Sequence, residues 1–432
     1  MTGNKENTGN TIIIHPHIMD GKRGDSDNLR TAIDKLDEIT SLSAAINLSV
    51  KFREIINVRN IRPATFIGAG KVADIKSLVE EYDVSLVIFD SPLSPIQQRN
   101  LEREWKCKVI DRTALILEIF GERAQTREGT LQVELAALEY QKSRLVRSWT
   151  HLERQRGGFG FMGGPGEKQI ESDRRIINDR IVKIKKQLEK VKKTRGLHRK
   201  SRKDVPYPVV ALVGYTNAGK STLFNKLTGA DVLAEDALFA TLDPTMRMIK
   251  LPSKRKVILS DTVGFISNLP TELVAAFRAT LEEVIEADLI LHVRDISSND
   301  TKAQRRDVIE IVESLTSEEK LEKNAFEVLN KSDLLEKDEL LMLQRNKEIC
   351  ISALNGDGCD ELLIKIDEFF AAMQHKISIS IPASDGKALS WIYSHAEGIK
   401  EKINDDMIDI EANISDKDMA GLEKLLVKKQ GN

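Results

Sequence analysis

The residues with the clearest chemical meaning form one short segment in the middle of the chain. An apolar run, residues 209–213, leads directly into the pattern Gly-x-x-x-x-Gly-Lys-Ser, and a helical pattern follows. Glycines let successive backbone N–H groups wrap around phosphate oxygens, and the next helix points its positive end at the same anion. Lys220 is predicted to reach the β- and γ-phosphates, and the Ser221 hydroxyl to bind Mg²⁺. The segment consists of Gly214, Tyr215, Thr216, Asn217, Ala218, Gly219, Lys220 and Ser221.

Two later segments predict that the base is guanine. Asp333 follows an apolar strand pattern, and its carboxylate can accept hydrogen bonds from the N1–H and the exocyclic amine of guanine. Adenine offers no such pair of donors, so its binding would leave a buried carboxylate unpaired. Such a penalty favours guanine over adenine by on the order of 10⁴-fold. Lys331 is predicted to lie along the base, and the second segment to place a backbone N–H on the guanine O6. The two segments are Asn330, Lys331, Ser332 and Asp333, then Ser352, Ala353 and Leu354.

Between the phosphate loop and the base segments lie two candidate switch segments. Asp261 is predicted to hold Mg²⁺ through water, and the Gly264 N–H to contact the γ-phosphate. Thr241 is the preferred candidate for a threonine whose hydroxyl binds Mg²⁺ only with GTP, with Thr245 and Thr262 as competitors. The predicted catalytic residues are thus Lys220, Thr241 and Gly264, and the metal ligands Ser221 and Thr241. The segments are Phe239, Ala240, Thr241, Leu242 and Asp243, then Asp261, Thr262, Val263 and Gly264.

Phe265 occupies the position after Gly264, where many GTPases carry a glutamine that orients the attacking water. A phenylalanine can neither position nor polarise water. The sequence therefore predicts slow intrinsic hydrolysis that a partner accelerates.

Composition points to the kind of partner. The 432 residues have a net charge of −2, which alone argues against a nucleic-acid-binding protein. Residues 141–203, however, contain 20 lysines and arginines against six aspartates and glutamates, so this stretch is basic and the remainder is acidic. Such asymmetry indicates a polyanionic partner. The three cysteines show no metal-ligand spacing, and we find neither a secretory signal nor an apolar run of the roughly 18 residues that span a membrane. We expect a cytoplasmic protein.

Apolar periodicity predicts an α/β protein made of several units. The units are a disordered lead-in at 1–10, a small N-terminal α/β domain at 11–113, a long antiparallel helical hairpin at 114–203, a P-loop GTPase domain at 206–373 and a small C-terminal α/β domain at 377–432. Predicted strands in the outer domains lie at 11–14, 84–89, 108–110, 377–381 and 407–410, and predicted helices at 28–46, 71–81, 95–105 and 387–403.

In the helical hairpin, two narrow apolar seams flank a glycine-rich turn. Seams with this four-three spacing typically join two antiparallel helices, although two helices docked on separate bodies are the alternative. Residues 195–203 are short, basic and poor in apolar residues, which indicates a linker. The seams consist of Leu131, Leu135, Leu138, Leu145, Trp149 and Leu152, and of Ile170, Ile177, Ile181, Ile184, Leu188 and Val191.

The glycine-rich turn, residues 157–166, contains six glycines. Gly158, Gly160 and Gly163 match the spacing of a dinucleotide-binding loop, but a basic helix precedes them where that motif needs a strand. Aromatic side chains between arginines instead predict contact with structured RNA, with a merely flexible turn as the alternative. The residues concerned are Arg154, Arg156, Phe159, Phe161, Met162, Arg174 and Arg175.

Several segments together resemble the HflX family: residues 66–72, 94–101, 163–175, 239–245 and 261–265. The resemblance implies a GTPase that binds ribosomal RNA of the large subunit and splits or rescues ribosomes, notably under heat stress. It implies that the arm reaches towards the peptidyl-transferase region and that the ribosome stimulates hydrolysis. It also implies ATP binding by the N-terminal part of some members, for which this sequence shows no motif. Lys168 and Gly164 depart from the family's glycine-rich pattern.

The sequence leaves other functions open. A ribosome-assembly checkpoint GTPase would share the same motifs, and so would a nucleotide-dependent scaffold with little turnover. A tRNA-modifying role would need further chemistry, which we do not find in the sequence. We expect a monomer that binds GTP or GDP with Mg²⁺ and contacts the large ribosomal subunit through the basic arm, residues 141–203.

Overall fold

The computed structural model describes residues 9–19, 30–155, 165–203, 207–229, 245–267, 278–316, 318–404, 406–415, 419 and 421–422. Within these ranges the chain forms two mainly parallel β-sheets, one antiparallel sheet and a pair of long helices. The α/β class predicted from the sequence is therefore confirmed. No helix in this part of the chain is long and apolar enough to cross a lipid bilayer.

The N-terminal sheet is parallel, with strand order β2-β1-β3-β4. Helices cover both faces of such a sheet, so its strands must be apolar on both sides. Ile13 accordingly packs into one apolar cluster, while Ile12 and Ile14 pack into another. The strands are β1 (Asn10–Ile18), β2 (Ser49–Val58), β3 (Val84–Phe89) and β4 (Lys108–Asp111), and the helices are α1 (Ala32–Ala44), α2 (Ala69–Glu81), α3 (Pro95–Trp105) and α4 (Arg112–Arg123).

Most predicted elements of this sheet have the predicted bounds within a few residues, with three differences. Helix α1 begins at Ala32, later than predicted, because Thr31 caps it and exchanges hydrogen bonds with Asp34. Strand β2 was not predicted: it lies at the edge of the sheet and is mostly half-buried, so its apolar pattern is weak. Asn10, predicted to belong to a disordered lead-in, begins β1, and residues 1–8 lie outside the described ranges.

Helices α5 (Arg127–Gln155) and α6 (Pro165–Lys203) pack along the predicted seams. Gln141 and Leu145, late in α5, border the same groove as Asp173 and Ile177, early in α6, so the two helices are antiparallel. The predicted linker at 195–203 is wrong, because α6 continues to Lys203: lysine and arginine are good helix formers and only Gly196 weakens the run. Residues 156–164, which contain most of the predicted RNA-binding turn, lie outside the described ranges. The packed seam residues are Leu131, Leu135, Leu138, Ile177, Ile181, Ile184 and Leu188.

The largest sheet has the order β10-β9-β8-β5-β7-β6, and within it β6 runs antiparallel to β7. The carboxyl ends of its parallel strands meet at one edge, which is where ligands bind in open α/β sheets. The strands are β5 (Val209–Gly214), β6 (Thr245–Lys250), β7 (Lys256–Asp261), β8 (Leu289–Asp295), β9 (Ala325–Asn330) and β10 (Ile349–Cys350). The helices are α7 (Lys220–Thr228), α8 (Arg278–Glu286), α9 (Thr301–Leu315), α10 (Glu318–Asn324), α11 (Lys337–Arg345) and α12 (Cys359–Ala372).

The last sheet is antiparallel, with strand order β11-β13-β12, and packs on helix α13 (Gly386–His395). The strands are β11 (Gln374–Pro382), β12 (Ala396–Asn404) and β13 (Met407–Ser415). The predicted helix at 387–403 is wrong in its second half, where β12 pairs with β13. Gly398, with φ of 62°, lies at a shift in that pairing, and this left-handed conformation is incompatible with a continuing helix.

Candidate nucleotide site

The phosphate loop between β5 and α7 is held in place by Asn330. Its Nδ2 donates to the Ala218 carbonyl at 2.8 Å, and its Oδ1 accepts from the Ala353 N–H at 3.0 Å. Gly219 has φ of 86°, and a Cβ there would come within 2.2 Å of the Asn330 Nδ2. Only glycine fits between the loop and this side chain. Asn330 thus joins the phosphate loop to the Ser-Ala segment, which makes it a structural support of both.

Lys220 and Ser221 lie at the start of α7, where the loop meets β7. The Lys220 Nζ donates to the Tyr215 carbonyl at 2.8 Å, and the Ser221 Oγ donates to the Asp261 Oδ2 at 2.7 Å. Burial lowers the pKa of Lys220 to about 8, and the negative charge of Asp261 only partly offsets this effect. An anion bound in the loop would favour the charged lysine again. The cluster therefore has the charge and geometry of a polyphosphate site.

The segment after β7 lies directly on the phosphate loop. The Phe265 carbonyl accepts from the Thr216 N–H at 2.8 Å, and the Phe265 N–H donates to the Gly214 carbonyl at 3.1 Å. A Cβ on Gly264 would lie 2.9 Å from the Thr216 Cα, so this close approach requires glycine. The Phe265 side chain is 1 % exposed and packs in the apolar core.

The residues predicted to bind the base surround the ends of β9 and β10. Lys331 has φ of 65°, and its Nζ forms an ion pair with the Asp295 Oδ2 at 2.7 Å. Asp333 is exposed, so its carboxylate is open to a ligand. The Ser332 N–H donates to the Ile351 carbonyl at 3.1 Å, which ties the two predicted base segments together. The nucleotide contacts assigned to these side chains stay predictions that this geometry accommodates.

The segment predicted to supply the switch threonine, residues 239–243, lies outside the described ranges, and so does Thr241. Its two competitors are described. The Thr262 hydroxyl donates to the Leu212 carbonyl at 2.6 Å inside the sheet, where it is turned away from the loop. Thr245 begins β6 and pairs with Asp261 across the strands. The hydrogen bond of Thr262 argues against it as a metal ligand and leaves Thr241 as the preferred prediction.

A polar cluster from the N-terminal domain meets this site, and sequence reasoning missed it. Glu38 of α1 accepts hydrogen bonds from the Tyr215 hydroxyl and, at 2.7 Å, from the Ser267 Oγ. The Arg112 Nη2 lies 2.7 Å from the Glu38 Oε2 and donates to the Ser267 Oγ at 2.9 Å. The Ser267 N–H donates to the Tyr215 hydroxyl at 2.7 Å. We call these four residues, Glu38, Arg112, Tyr215 and Ser267, the interdomain cluster.

The interdomain cluster is buried, and its two members from the N-terminal domain, Glu38 and Arg112, form an ion pair. Burial by itself would raise the pKa of Glu38, but Arg112 and the hydrogen bonds from Tyr215 and Ser267 hold it below its usual value. Burial and the neighbouring Glu38 charge raise the pKa of the Tyr215 hydroxyl well above 10. The phosphate loop is thus bonded to a charged pair of another domain. The only sequence signal was an acidic residue among the apolar positions of α1.

Two further contacts extend this junction. Arg30 lies over the Tyr215 ring at 5.0 Å and pairs with Asp300 and Asp307, which flank or belong to α9. An apolar cluster also continues from α1 and α4 into the largest sheet without a break, and it includes Phe265. The side chain that replaces the usual glutamine therefore forms part of the domain junction.

The phosphate loop at the end of β5, the Asp-x-x-Gly segment at the end of β7 and the Asn-Lys-x-Asp segment at the end of β9 define a P-loop GTPase that hydrolyses GTP to GDP and phosphate. The chain matches the family models "GTP-binding GTPase N-terminal" over residues 33–121, "GTP-binding GTPase Middle Region" over 123–202, "50S ribosome-binding GTPase" over 209–331 and "HflX C-terminal domain" over 340–432. It belongs to the HflX family of GTPases.

Curated relatives span nearly the whole chain. GTPase HflX of Magnetococcus marinus is 49 % identical over 86 % of this chain and 86 % of its own length. GTPase HflX of Escherichia coli K12 is 46 % identical over 80 % of this chain and 81 % of its own length. A solved complex of SsGBP with GDP is 25 % identical, with a TM-score of 0.48, over 84 % of this chain and 99 % of that one.

Proposed function

We propose that this chain is a ribosome-dependent GTPase of the cytoplasm, which binds the large ribosomal subunit and splits or rescues ribosomes under stress. The observation that carries this proposal is the inward orientation of Phe265, because it leaves hydrolysis dependent on a group from outside. The description "50S ribosome-binding GTPase" of the family matched at 209–331 supports the ribosome as the source of that group.

The basic arm supports an RNA partner. Outside its packed seam, α6 exposes lysines along its described length, and phosphate contacts from such side chains supply most of the affinity for RNA backbones. The seam itself remains buried at Ile181 and Ile184, so the charged residues are held on a rigid element and not on a loop. The exposed lysines are Lys183, Lys185, Lys186, Lys190 and Lys193.

Mg²⁺ is part of the proposal because the donors fit it. The Ser221 hydroxyl and the Asp261 carboxylate are hard oxygen ligands, and they already lie 2.7 Å apart beside the loop. With Thr241 they would hold the ion, Ser221 and Thr241 directly and Asp261 through water. The ion, when bound, neutralises charge on the β- and γ-phosphates. Lys220 and the backbone N–H groups of the loop bind and orient the same phosphates.

In the proposed cycle, GTP binding orders the switch segments and fixes a conformation in which the arm is seated in the ribosome. Phosphate release frees these segments and lets the protein dissociate. Thr241 and Gly264 are the proposed contacts to the GTP state. The large subunit supplies or orders the group that positions the attacking water.

Sucrose-gradient sedimentation of intact ribosomes tests this function. With the full chain and a non-hydrolysable GTP analogue, we expect 70S particles to separate into subunits and the protein to migrate with the large subunit. With GDP, we expect intact ribosomes. Binding confined to immature large subunits would instead indicate an assembly checkpoint.

A parallel measurement of GTP hydrolysis tests the activation. Purified large subunits should raise the turnover of the protein by at least about 100-fold, since an activator that completes a GTPase site contributes on the order of 10³ to 10⁵. Unchanged hydrolysis would contradict both ribosomal functions and favour a scaffold. Small subunits serve as the matched control.

A further inference from the structure

Thr216, the third residue of the phosphate loop, carries a buried hydroxyl whose role the loop architecture does not explain. The residue is 5 % exposed, and its Oγ1 has no hydrogen-bond partner within the described ranges. Buried hydroxyls nearly always bond to protein, water or a ligand. The phosphate loop itself binds anions through backbone N–H groups, so the motif does not require a threonine here.

The surroundings of Thr216 place its side chain at the γ-phosphate end of the loop. A Cβ built on Gly264 would lie 2.8 Å from the Thr216 Cγ2 and 3.0 Å from the Lys220 Nζ. The Thr216 methyl group and the Lys220 Nζ therefore both lie against Gly264, and the Thr216 hydroxyl branches from the same Cβ as that methyl group. Lys220 and Gly264 are among the groups that the proposed function assigns to the γ-phosphate. The Thr216 backbone is fixed there by its hydrogen bond to the Phe265 carbonyl.

We infer that the Thr216 hydroxyl donates a hydrogen bond to a γ-phosphoryl oxygen of bound GTP and stabilises that group during transfer. This inference rests on the proposed function of the site. In the reaction, the water oxygen bonds to the γ-phosphorus, and the bond from that phosphorus to the β–γ bridging oxygen breaks. The electron pair stays on GDP, and the protons of water leave with phosphate or to solvent. Thr216 neither gains nor loses a proton.

The position of Phe265 explains why such a donor matters here. Its side chain is in the domain junction and the Ser267 hydroxyl bonds to Glu38, so residues 265–267, the described part of the segment after Gly264, send no polar side chain to the transferred group. A preorganised neutral donor is worth on the order of 10²- to 10³-fold in rate where charge is redistributed in a closed site. Thr216 supplies such a donor from the loop side.

The test replaces Thr216 in the full chain by valine, which keeps the shape without the hydroxyl, and by serine, which keeps the hydroxyl. For Thr216→Val we expect single-turnover GTP hydrolysis to fall by about 100-fold, the lower end of that range. Its affinity for a non-hydrolysable GTP analogue should fall by about tenfold, which is the loss of one hydrogen bond to a charged group. Affinity for GDP should stay within about twofold, since GDP has no γ-phosphate. Thr216→Ser should behave like the wild type.

The matched control is Thr228→Val at the end of α7, where the hydroxyl donates to the Phe224 carbonyl at 2.7 Å, away from the loop. It should change none of the three quantities. A Thr216→Val protein with wild-type hydrolysis and analogue affinity would overturn the inference. So would equal losses for GDP and the analogue, or a serine variant as impaired as the valine variant.

All rates are measured with and without large ribosomal subunits, which separates this inference from the proposed function. If subunits fail to stimulate the wild-type protein, the ribosomal function fails. The comparison of Thr216→Val with Thr216→Ser in intrinsic hydrolysis then still decides the role of the hydroxyl.

Discussion

The two parallel sheets of this chain gather polar side chains at the same edge, but they use them differently. At the N-terminal sheet, the Asp90 carboxylate lies 2.7 Å from the His15 Nδ1 and pairs with Arg112 at 2.9 Å, so both of its oxygens have partners in a buried chain of contacts. At the largest sheet, the Thr216 hydroxyl has no partner within the described ranges and the Asp333 carboxylate is exposed. Apart from the Arg112 Nε, which has no partner within the described ranges, the first edge is internally satisfied, whereas the other keeps hydrogen-bonding capacity for a ligand.

The satisfied edge, at the N-terminal sheet, connects the helical arm to the nucleotide site. Asp111 accepts from the Tyr140 hydroxyl at 2.8 Å and pairs with Arg144 at 3.2 Å, which attaches helix α5 of the arm. The next residue, Arg112, belongs to the interdomain cluster and so contacts the segment that follows Gly264. Two consecutive residues thus hold the arm and the nucleotide site.

The largest effect in this comparison should come from Lys220→Ala at the open edge. Removing a buried, charge-bearing donor to phosphate costs several kcal/mol, so affinity for GDP and GTP should fall by on the order of 10³-fold. Titration with a fluorescent GDP derivative measures this. Lys250→Ala, on an exposed position of β6, is the control and should bind normally. Binding within about tenfold of wild type would show that the loop backbone alone holds the phosphates.

The next effect concerns the satisfied edge. Glu38→Ala removes one of the two carboxylates that pair with the buried Arg112 and leaves it with Asp90, and breaking such a buried pair lowers the free energy of unfolding by about 3 kcal/mol. Urea denaturation measures the change. Glu54→Ala removes a partner of the half-exposed Lys71 and should cost less than about 1 kcal/mol. GDP affinity of Glu38→Ala should fall only a few-fold, because the loop keeps its own contacts to Asn330. An equal loss of unfolding free energy in Glu38→Ala and Glu54→Ala would contradict the expected difference between a buried and an exposed ion pair.

Sequence reasoning located the open edge well because its chemistry is local. The residues of each nucleotide motif are neighbours in the chain, and a strand pattern precedes each one, so type and spacing were sufficient to identify Lys220, Asp261 and Asp333 as site candidates. Strands such as β3 and helices such as α3 were equally readable, because apolar periodicity and the Ser94 capping box mark them within one window.

The contacts between the N-terminal sheet and the nucleotide site could not be predicted, because they join residues that are far apart in the chain. Glu38 and Ser267 are 229 positions apart, and the residues around each of them give no signal that the two are in contact. The inward direction of Phe265 likewise depends on a core that two domains build together. The helix predicted at 387–403 failed on a similar ground: only pairing with a later strand, and the conformation of Gly398, decide for β12. Long-range partners decided each of these features.

A smaller expected effect is a pH dependence of nucleotide binding at the open edge, which arises from Lys220. Because burial lowers the pKa of Lys220 to about 8 in the free protein, whereas a bound phosphate favours its charged form, nucleotide binding should take up more protons as the pH rises through 8. Calorimetry of GDP binding in buffers of different ionisation enthalpy should show a proton uptake that rises towards one between pH 7 and pH 9. Affinity should fall as pH rises through this range, by at most about tenfold per pH unit. Proton uptake that is equal at both values would contradict the assignment.

The smallest effect tests whether the interdomain cluster depends on the stability of α1, the helix that carries Glu38. The Thr31 side chain caps α1, and Thr31→Ala should lower the free energy of unfolding by about 1 kcal/mol. Thr40→Ala, in the interior of the same helix, removes a hydroxyl that bonds to the Leu36 carbonyl and should be nearly neutral, because alanine is the better helix former. GDP affinity should be unchanged in both. A loss of GDP affinity in Thr31→Ala alone would show that the end of α1 controls the phosphate loop, and the satisfied edge would then be part of the nucleotide site itself.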